Sequence, residues 1–150
     1  NWHLIAEVKN NPRMHIPIFG NGDVGSPEKA KEMRDSFGLD GAMIGRASIG
    51  NPWFFKAVKQ FLKTGNHIAP VSINQRVETA RRHLEMAIAW KGETLGVLET
   101  RRHYSNYFKG IPNFKAHRTA MVTANHSDDV FAVFKEVETL EETHAAGATF

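Results

Sequence analysis

Apolar positions divide the chain into two regimes, with short runs alternating with amphipathic segments in the first and only helical spacing in the second. In the first regime, Ile16-Pro17-Ile18-Phe19 is a short apolar run closed by the turn residues Gly20-Asn21-Gly22-Asp23, and Ala42-Met43-Ile44 is a second, closed by Gly45-Arg46. Both read as buried strands. Between them Ser26-Pro27 supplies an N-cap and a first-turn proline, Ala30, Met33 and Phe37 recur at helical spacing, and Gly38 is the stop. Asn51-Pro52 opens a further helix with Phe54, Phe55, Val58, Phe61 and Leu62 on one face and Gly65 past its end, and Trp2, Ile5 and Val8 mark a helix ahead of the first strand. The order αβαβα, with strands that lack polar alternation, predicts a parallel sheet buried on both faces.

From residue 72 the pattern is helical throughout. Ser72-x-x-Gln75 is a capping box ahead of Val77, Ala80, Leu84, Ala87 and Ile88, and Gly92 closes that helix. Residues 94–109 read as a second helix stopped by Gly110 and Pro112, and residues 115–125 as a third. Ser127-Asp128-Asp129 caps a fourth, with Val130, Val133, Phe134, Val137 and Leu140 as its buried stripe. Four helices with short links predict a small bundle. The boundary falls in the polar stretch Thr64–Ser72, which separates an α/β part, residues 1–67, from an all-α part, residues 68–150.

Composition narrows the class of protein. Hydrophobic residues are 41% and charged residues 23% of 150, a globular balance, and no apolar run approaches the roughly 20 residues of a membrane helix. A soluble, cytoplasmic chain is expected, and the start Asn1-Trp2-His3-Leu4, with neither Met nor a targeting pattern, suggests a chain that begins inside a longer protein. There is no cysteine, which removes disulfides, thiolate metal sites and thiol catalysis by these residues. The eight histidines show no zinc-motif spacing, so no metal is expected. Net charge is +3 over residues 1–65, +5 over 66–126 and −5 over 127–150, which places a polyanion partner, if there is one, against the middle of the chain.

Ligands of parallel α/β folds collect at the carboxyl ends of strands. Both such ends here suit close approach: two glycines flank Asn21 in Gly20-Asn21-Gly22-Asp23, and Gly45 frees the backbone beside Arg46, a fixed cation with phosphate-matching geometry. Together they describe an anion site, and in (β/α)8 barrels the last two strand-end loops are the usual place for a phosphate. Taken singly, the glycine loop also fits a plain turn, Arg46 a surface or ion-paired residue, and Trp53-Phe54-Phe55 helix-to-sheet core. In the second regime Arg81, Arg82, Arg101, Arg102, Lys109, Lys115 and Arg118 interleave with Tyr104, Tyr107 and Phe108. That mixture suits RNA, and equally a solvated face over an aromatic core.

The motifs Ile16-Pro17-Ile18-Phe19-Gly20-Asn21-Gly22-Asp23-Val24, Asp40-Gly41-Ala42-Met43-Ile44-Gly45-Arg46-Ala47 and Gly50-Asn51-Pro52-Trp53, followed by Arg101-Arg102-His103-Tyr104 and Tyr107-Phe108-Lys109-Gly110, closely resemble the tRNA-dihydrouridine synthases. The resemblance covers nearly the whole chain. It implies a C-terminal slice of a TIM (β/α)8 barrel, the last two strands with their flanking helices, followed by a helical tRNA-binding domain. It also implies reduction of the C5–C6 double bond of particular uridines in tRNA, with FMN as the bound cofactor and NADPH recharging it. Asn21, Gly22, Asp23, Gly45 and Arg46 then become FMN-binding residues, chiefly around the phosphate, and Arg101, Arg102, Lys109, Lys115 and Arg118 tRNA contacts, the first two foremost. The family's proton-donating cysteine and the lysine and histidine that touch the flavin belong to earlier strands, so the resemblance puts no catalytic residue in this chain and implies that it is inactive alone. The alternatives are an RNA-binding helical module without catalysis and another phosphate-binding barrel enzyme. Unpaired barrel strands also imply self-association of the isolated piece.

Overall fold

The computed structural model describes residues 2–147. It falls into two compact units, residues 1–69 and 70–150. The first contains α1 (Trp2–Lys9), β1 (Phe19–Asn21), α2 (Pro27–Asp35), β2 (Gly41–Met43) and α3 (Phe54–Thr64). The second contains α4 (Ile73–Lys91), α5 (Glu93–Tyr107), α6 (Lys115–Thr123) and α7 (Ser127–Gly147).

In the first unit β1 and β2 pair in parallel, with Phe19 opposite Gly41, Gly20 opposite Ala42 and Asn21 opposite Met43. The first strand lies later than its apolar run predicts. Pro17 has no N–H for a ladder, and the Ile18 N–H donates to the Asp40 carboxylate at 2.7 Å while the Asp40 N–H donates to the Ile18 carbonyl at 3.0 Å. This side-chain clamp replaces the first ladder rung. It and the Lys9 ammonium, 2.6 Å away, hold the Asp40 carboxyl below its usual pKa, Lys9 being the larger cause.

One face of the sheet packs against helices. Val24, Ala30, Met33, Leu39, Phe54 and Val58 form the core there, joined by partly buried Trp2, Ile5, Phe37 and Leu62. The other face is open: Phe19 is 64% and Met43 62% exposed, so the expectation of burial on both faces fails in this chain. Two strands alone cannot cover it, because alternate side chains point to opposite sides. Phe55 and Val8 are likewise exposed rather than part of the expected apolar stripes. The caps form as expected, with Lys29 N–H donating to the Ser26 hydroxyl at 3.3 Å and Gly65 taking φ 74° after α3.

The second unit is built on the α4–α5 hairpin, turned by Gly92 alone at φ 80°. The capping box closes at Ser72, whose hydroxyl accepts from Gln75 N–H at 3.2 Å while its own N–H donates to the Gln75 side chain at 3.1 Å. At α7 the expected Ser127 cap is supplied instead by Glu93. Its carboxylate accepts from the Ser127 N–H at 2.7 Å and hydroxyl at 3.2 Å, which lowers the Glu93 pKa and ties the start of α7 to the start of α5.

Tyr104, Phe108 and Phe134 are fully buried at the centre, the Tyr104 and Phe134 rings meeting edge-on at 5.9 Å. The Tyr104 hydroxyl is buried without a hydrogen-bond partner, and burial pushes its pKa up. Replacing it should therefore cost nothing: Tyr104→Phe is expected to leave stability unchanged or raise it by about 1 kcal/mol in urea unfolding, since an unsatisfied buried hydroxyl is a net penalty.

Candidate functional site

The two strand ends of the first unit open onto one recess of about 810 Å³, whose lining includes Asn21, Gly22, Asp23, Gly45 and Arg46. All five residues singled out at these loops are thus brought together. The parallel pairing makes this inevitable, since Asn21 and Met43 are partners in the last rung and each loop leaves from there.

Each loop is held in shape by identifiable bonds. Gly22 adopts φ 132° and Asp23 φ 48°, a sharp turn that glycine tolerates and that aspartate accepts more readily than most residues. The Trp2 indole N–H donates to the Gly22 carbonyl at 3.1 Å, and a side chain at Gly22 would press on that indole, its Cβ lying 3.0 Å from Nε1. The glycine therefore serves both the turn and the close approach of α1. The second loop is a single 3₁₀ turn, Arg46–Ser48, whose Ser48 N–H and hydroxyl both donate to the Gly45 carbonyl, at 3.0 and 2.8 Å.

Arg46 forms an ion pair with Asp23 across the recess, linking the loops, and both side chains remain largely exposed, 85% and 74%. An exposed pair contributes little to stability, so an incoming anion loses little by displacing the carboxylate. An exposed guanidinium, an asparagine side chain and three glycines, Gly22, Gly25 and Gly45, surround the space. At Gly45 an added Cβ would meet nothing, leaving its backbone open to a ligand. These groups fit the phosphate end of an organic phosphate such as FMN.

In the second unit, Arg102, Lys109, Lys115 and Arg118 are exposed. Arg101 is not equivalent to them. Its guanidinium reaches the end of α6, donating from Nε to the Ala124 carbonyl at 3.1 Å, from Nη2 to the same carbonyl, to the Thr123 carbonyl at 3.4 Å and to the Asn125 side chain at 2.9 Å. It terminates a helix whose last carbonyls would otherwise lack partners. Tyr104, Tyr107 and Phe108 are core, 0%, 6% and 0% exposed, which resolves the aromatic alternative in favour of packing. Among the described residues of this unit, the exposed large aromatic side chain is Trp90, 82% exposed. Its signal in the sequence is a second face of α4, His83, Met86 and Trp90 at i, i+3 and i+7, beside the core stripe. Among the described residues no group of three or more His, Asp or Glu is arranged to hold a metal, and no helix is long and apolar enough to cross a membrane.

The fold and site together define an α/β unit with a recess at two parallel strand ends, joined in sequence to an all-helical unit. The family model described as dihydrouridine synthase matches residues 1–146, and the chain belongs to that family. It is similar to a probable tRNA-dihydrouridine synthase of Rickettsia conorii, 34% identical over 91% of this chain and 40% of the relative. It is also similar to tRNA-dihydrouridine synthase B of Pseudomonas putida, 37% identical over 78% of this chain and 34% of the relative, and to that of Xanthomonas axonopodis pv. citri, 36% identical over 90% and 40%. The chain thus spans two fifths or less of the length of these relatives.

Proposed function

We propose that the chain is the C-terminal portion of a flavin-dependent tRNA-dihydrouridine synthase. Residues 1–67 contribute the last two strands of an FMN-binding (β/α)8 barrel and residues 68–150 a helical tRNA-contacting domain. The convergence of Asn21, Gly22, Asp23, Gly45 and Arg46 on one recess is the observation that carries this reading.

When bound, FMN supplies the hydride chemistry that reduces the C5–C6 bond of uridine, with NADPH as the reductant of the parent enzyme. The residues here bind and orient. Arg46, now paired with Asp23, would hold the phosphate together with Asn21 and the backbone at Gly22 and Gly45. Asp23 keeps the guanidinium at the mouth of the recess before the cofactor arrives. The chain has no cysteine, so the proton donor that the family resemblance implies lies outside these 150 residues. The open face bearing Phe19 and Met43 is where further barrel strands, or a second copy of the isolated piece, would pack. Arg102, Lys109, Lys115 and Arg118 supply phosphate contacts to tRNA, while Arg101 holds the end of α6.

The test is direct. The protein extended to the length of its relatives should purify yellow and lower the uridine content of tRNA. In it, Arg46→Ala should weaken FMN retention about fivefold, measured by equilibrium dialysis, the loss of one solvent-screened charged contact. An extended protein that binds no FMN would overturn the proposal.

A further inference from the structure

We infer that the recess between α4 and α5 takes a single unpaired nucleobase of RNA, stacked on the indole of Trp90, with Lys91 and Arg102 meeting the phosphates beside it. This rests on the reading of the helical unit as tRNA-contacting only for the source of the RNA; the site itself is drawn from the side chains.

The recess measures about 380 Å³ and is lined by Trp90, Met86, His83, His103, Lys91 and Arg102 among others. That volume lies within the roughly 300–1,000 Å³ of small-ligand sites. Its apolar surface is conspicuous. Trp90 is 82% and Met86 62% exposed, and a flat aromatic ring left open at a concave surface is available to stack. Scattered apolar residues on a protein surface need no explanation, but here the two line one recess with two imidazoles and two cations.

The polar groups favour a base over other occupants. The Lys91 ammonium lies 4.8 Å from the Trp90 ring centroid and is tethered to Glu99, so a cation already stands beside the platform, and the one carboxylate of the recess is already paired. His103 Nε2 accepts from Arg102 Nε at 3.3 Å, which requires an unprotonated nitrogen there. His83 Nδ1 lies 3.2 Å from the Tyr107 hydroxyl, and the two imidazole rings are 4.9 Å apart. Burial, with Arg102 close to both and His83 close to His103, lowers the pKa of each ring. Two neutral imidazoles offer both donors and acceptors, the complement of a nucleobase edge, whereas the Lys91 and Arg102 charges complement phosphates. An aromatic platform, neutral hydrogen-bonding groups and a cationic rim form the combination used to hold unstacked bases of single-stranded RNA.

The experiment uses the full 150-residue chain with three probes: a single-stranded oligouridylate, an abasic strand of equal length, and unfractionated tRNA. Wild type should bind the oligouridylate with quenching of tryptophan fluorescence and bind the abasic strand more weakly. Trp90→Ala should lose about fivefold in affinity for the oligouridylate and for tRNA and lose the quenching, while Trp90→Phe, which keeps a stacking face, should stay within about twofold of wild type. Because the indole is exposed, both variants should melt with wild type, which separates lost stacking from lost structure. Oligouridylate binding indifferent to Trp90→Ala, equal binding of the abasic strand, or no binding of any probe overturns the inference. If tRNA binds in a salt-dependent manner but ignores Trp90→Ala, only this inference falls. If base-dependent binding at Trp90 is found while the extended protein leaves tRNA uridine intact, the inference stands and the enzymatic reading falls.

Discussion

Arg101→Ala is expected to cost the helical unit about 2–3 kcal/mol, whereas Arg102→Ala, one residue away, leaves stability within about 0.5 kcal/mol of wild type. The difference comes from what each guanidinium touches. Arg101 donates to the carbonyls of Thr123 and Ala124 and to the Asn125 side chain, across the gap between α5 and the end of α6. Charged donors to carbonyls contribute more than neutral ones, and removing this side chain leaves two carbonyls at a helix end without their partner. Arg101 is only half-buried, so solvent recovers part of the loss, and the expected cost is set below that of a buried ion pair. For a unit of this size the change corresponds to a melting temperature lower by about 10–15 °C. Arg101→Lys retains the charge but not the fork that serves several acceptors at once, so it should recover less than half of the stability. If Arg101→Ala melts with wild type and loses tRNA affinity, the guanidinium is an RNA contact and not a helix terminator.

How far these roles were legible in the sequence depends on distance along the chain. Caps and stops are local: Ser26 with Lys29, Ser72 with Gln75 and Gly65 after α3 all stand where the turn chemistry put them. The meeting of the two strand-end loops was legible for a related reason. Adjacent parallel strands end side by side, so two loops recognised separately had to meet.

What the sequence hid were partners more than 20 residues away. Asp40 displaces the first rung of β1 through the Ile18 N–H, Glu93 caps α7 through Ser127, and Arg101 closes α6. In each a polar side chain replaces a bond that a regular element would have made, and nothing in periodicity marks the residue that does so. The aromatic residues show the opposite failure. Tyr107 and Phe108 sit beside basic residues in sequence but their rings turn inward, while Trp90 stands on a second face of α4, away from the buried stripe of Val77, Ala80 and Leu84.

Gly96 is the position where a single methyl group should matter most to the hairpin that frames the proposed base site. α4 and α5 are joined by Gly92 alone, its N–H bonded to the Ile88 carbonyl at 2.8 Å and its carbonyl accepting from the Gly96 N–H at 2.9 Å. So short a turn forces the helices together within one turn of the joint, and Gly96, buried on α5, faces Ile88 on α4. A Cβ placed there would stand 2.8 Å from the Ile88 Cα and N, well inside the roughly 3.5–4.0 Å of a favourable carbon contact. Backbone cannot rotate away as a side-chain end can, so the helices must separate. Alanine brings an opposing gain of about 1 kcal/mol in helix propensity over glycine. Overpacking against backbone belongs at or above the upper end of the about 1–3 kcal/mol range for inserted methyls. The clash wins, and Gly96→Ala is expected to lower stability by about 2 kcal/mol in denaturant unfolding, with Gly96→Val worse because its larger side chain adds volume and lowers helix propensity. Spreading the hairpin also separates Trp90 and Lys91 from Arg102 and His103, so Gly96→Ala should weaken oligouridylate binding under conditions where the protein is still folded. An unchanged or raised stability for Gly96→Ala would mean that the helices pass farther apart at this point than their single-residue turn dictates.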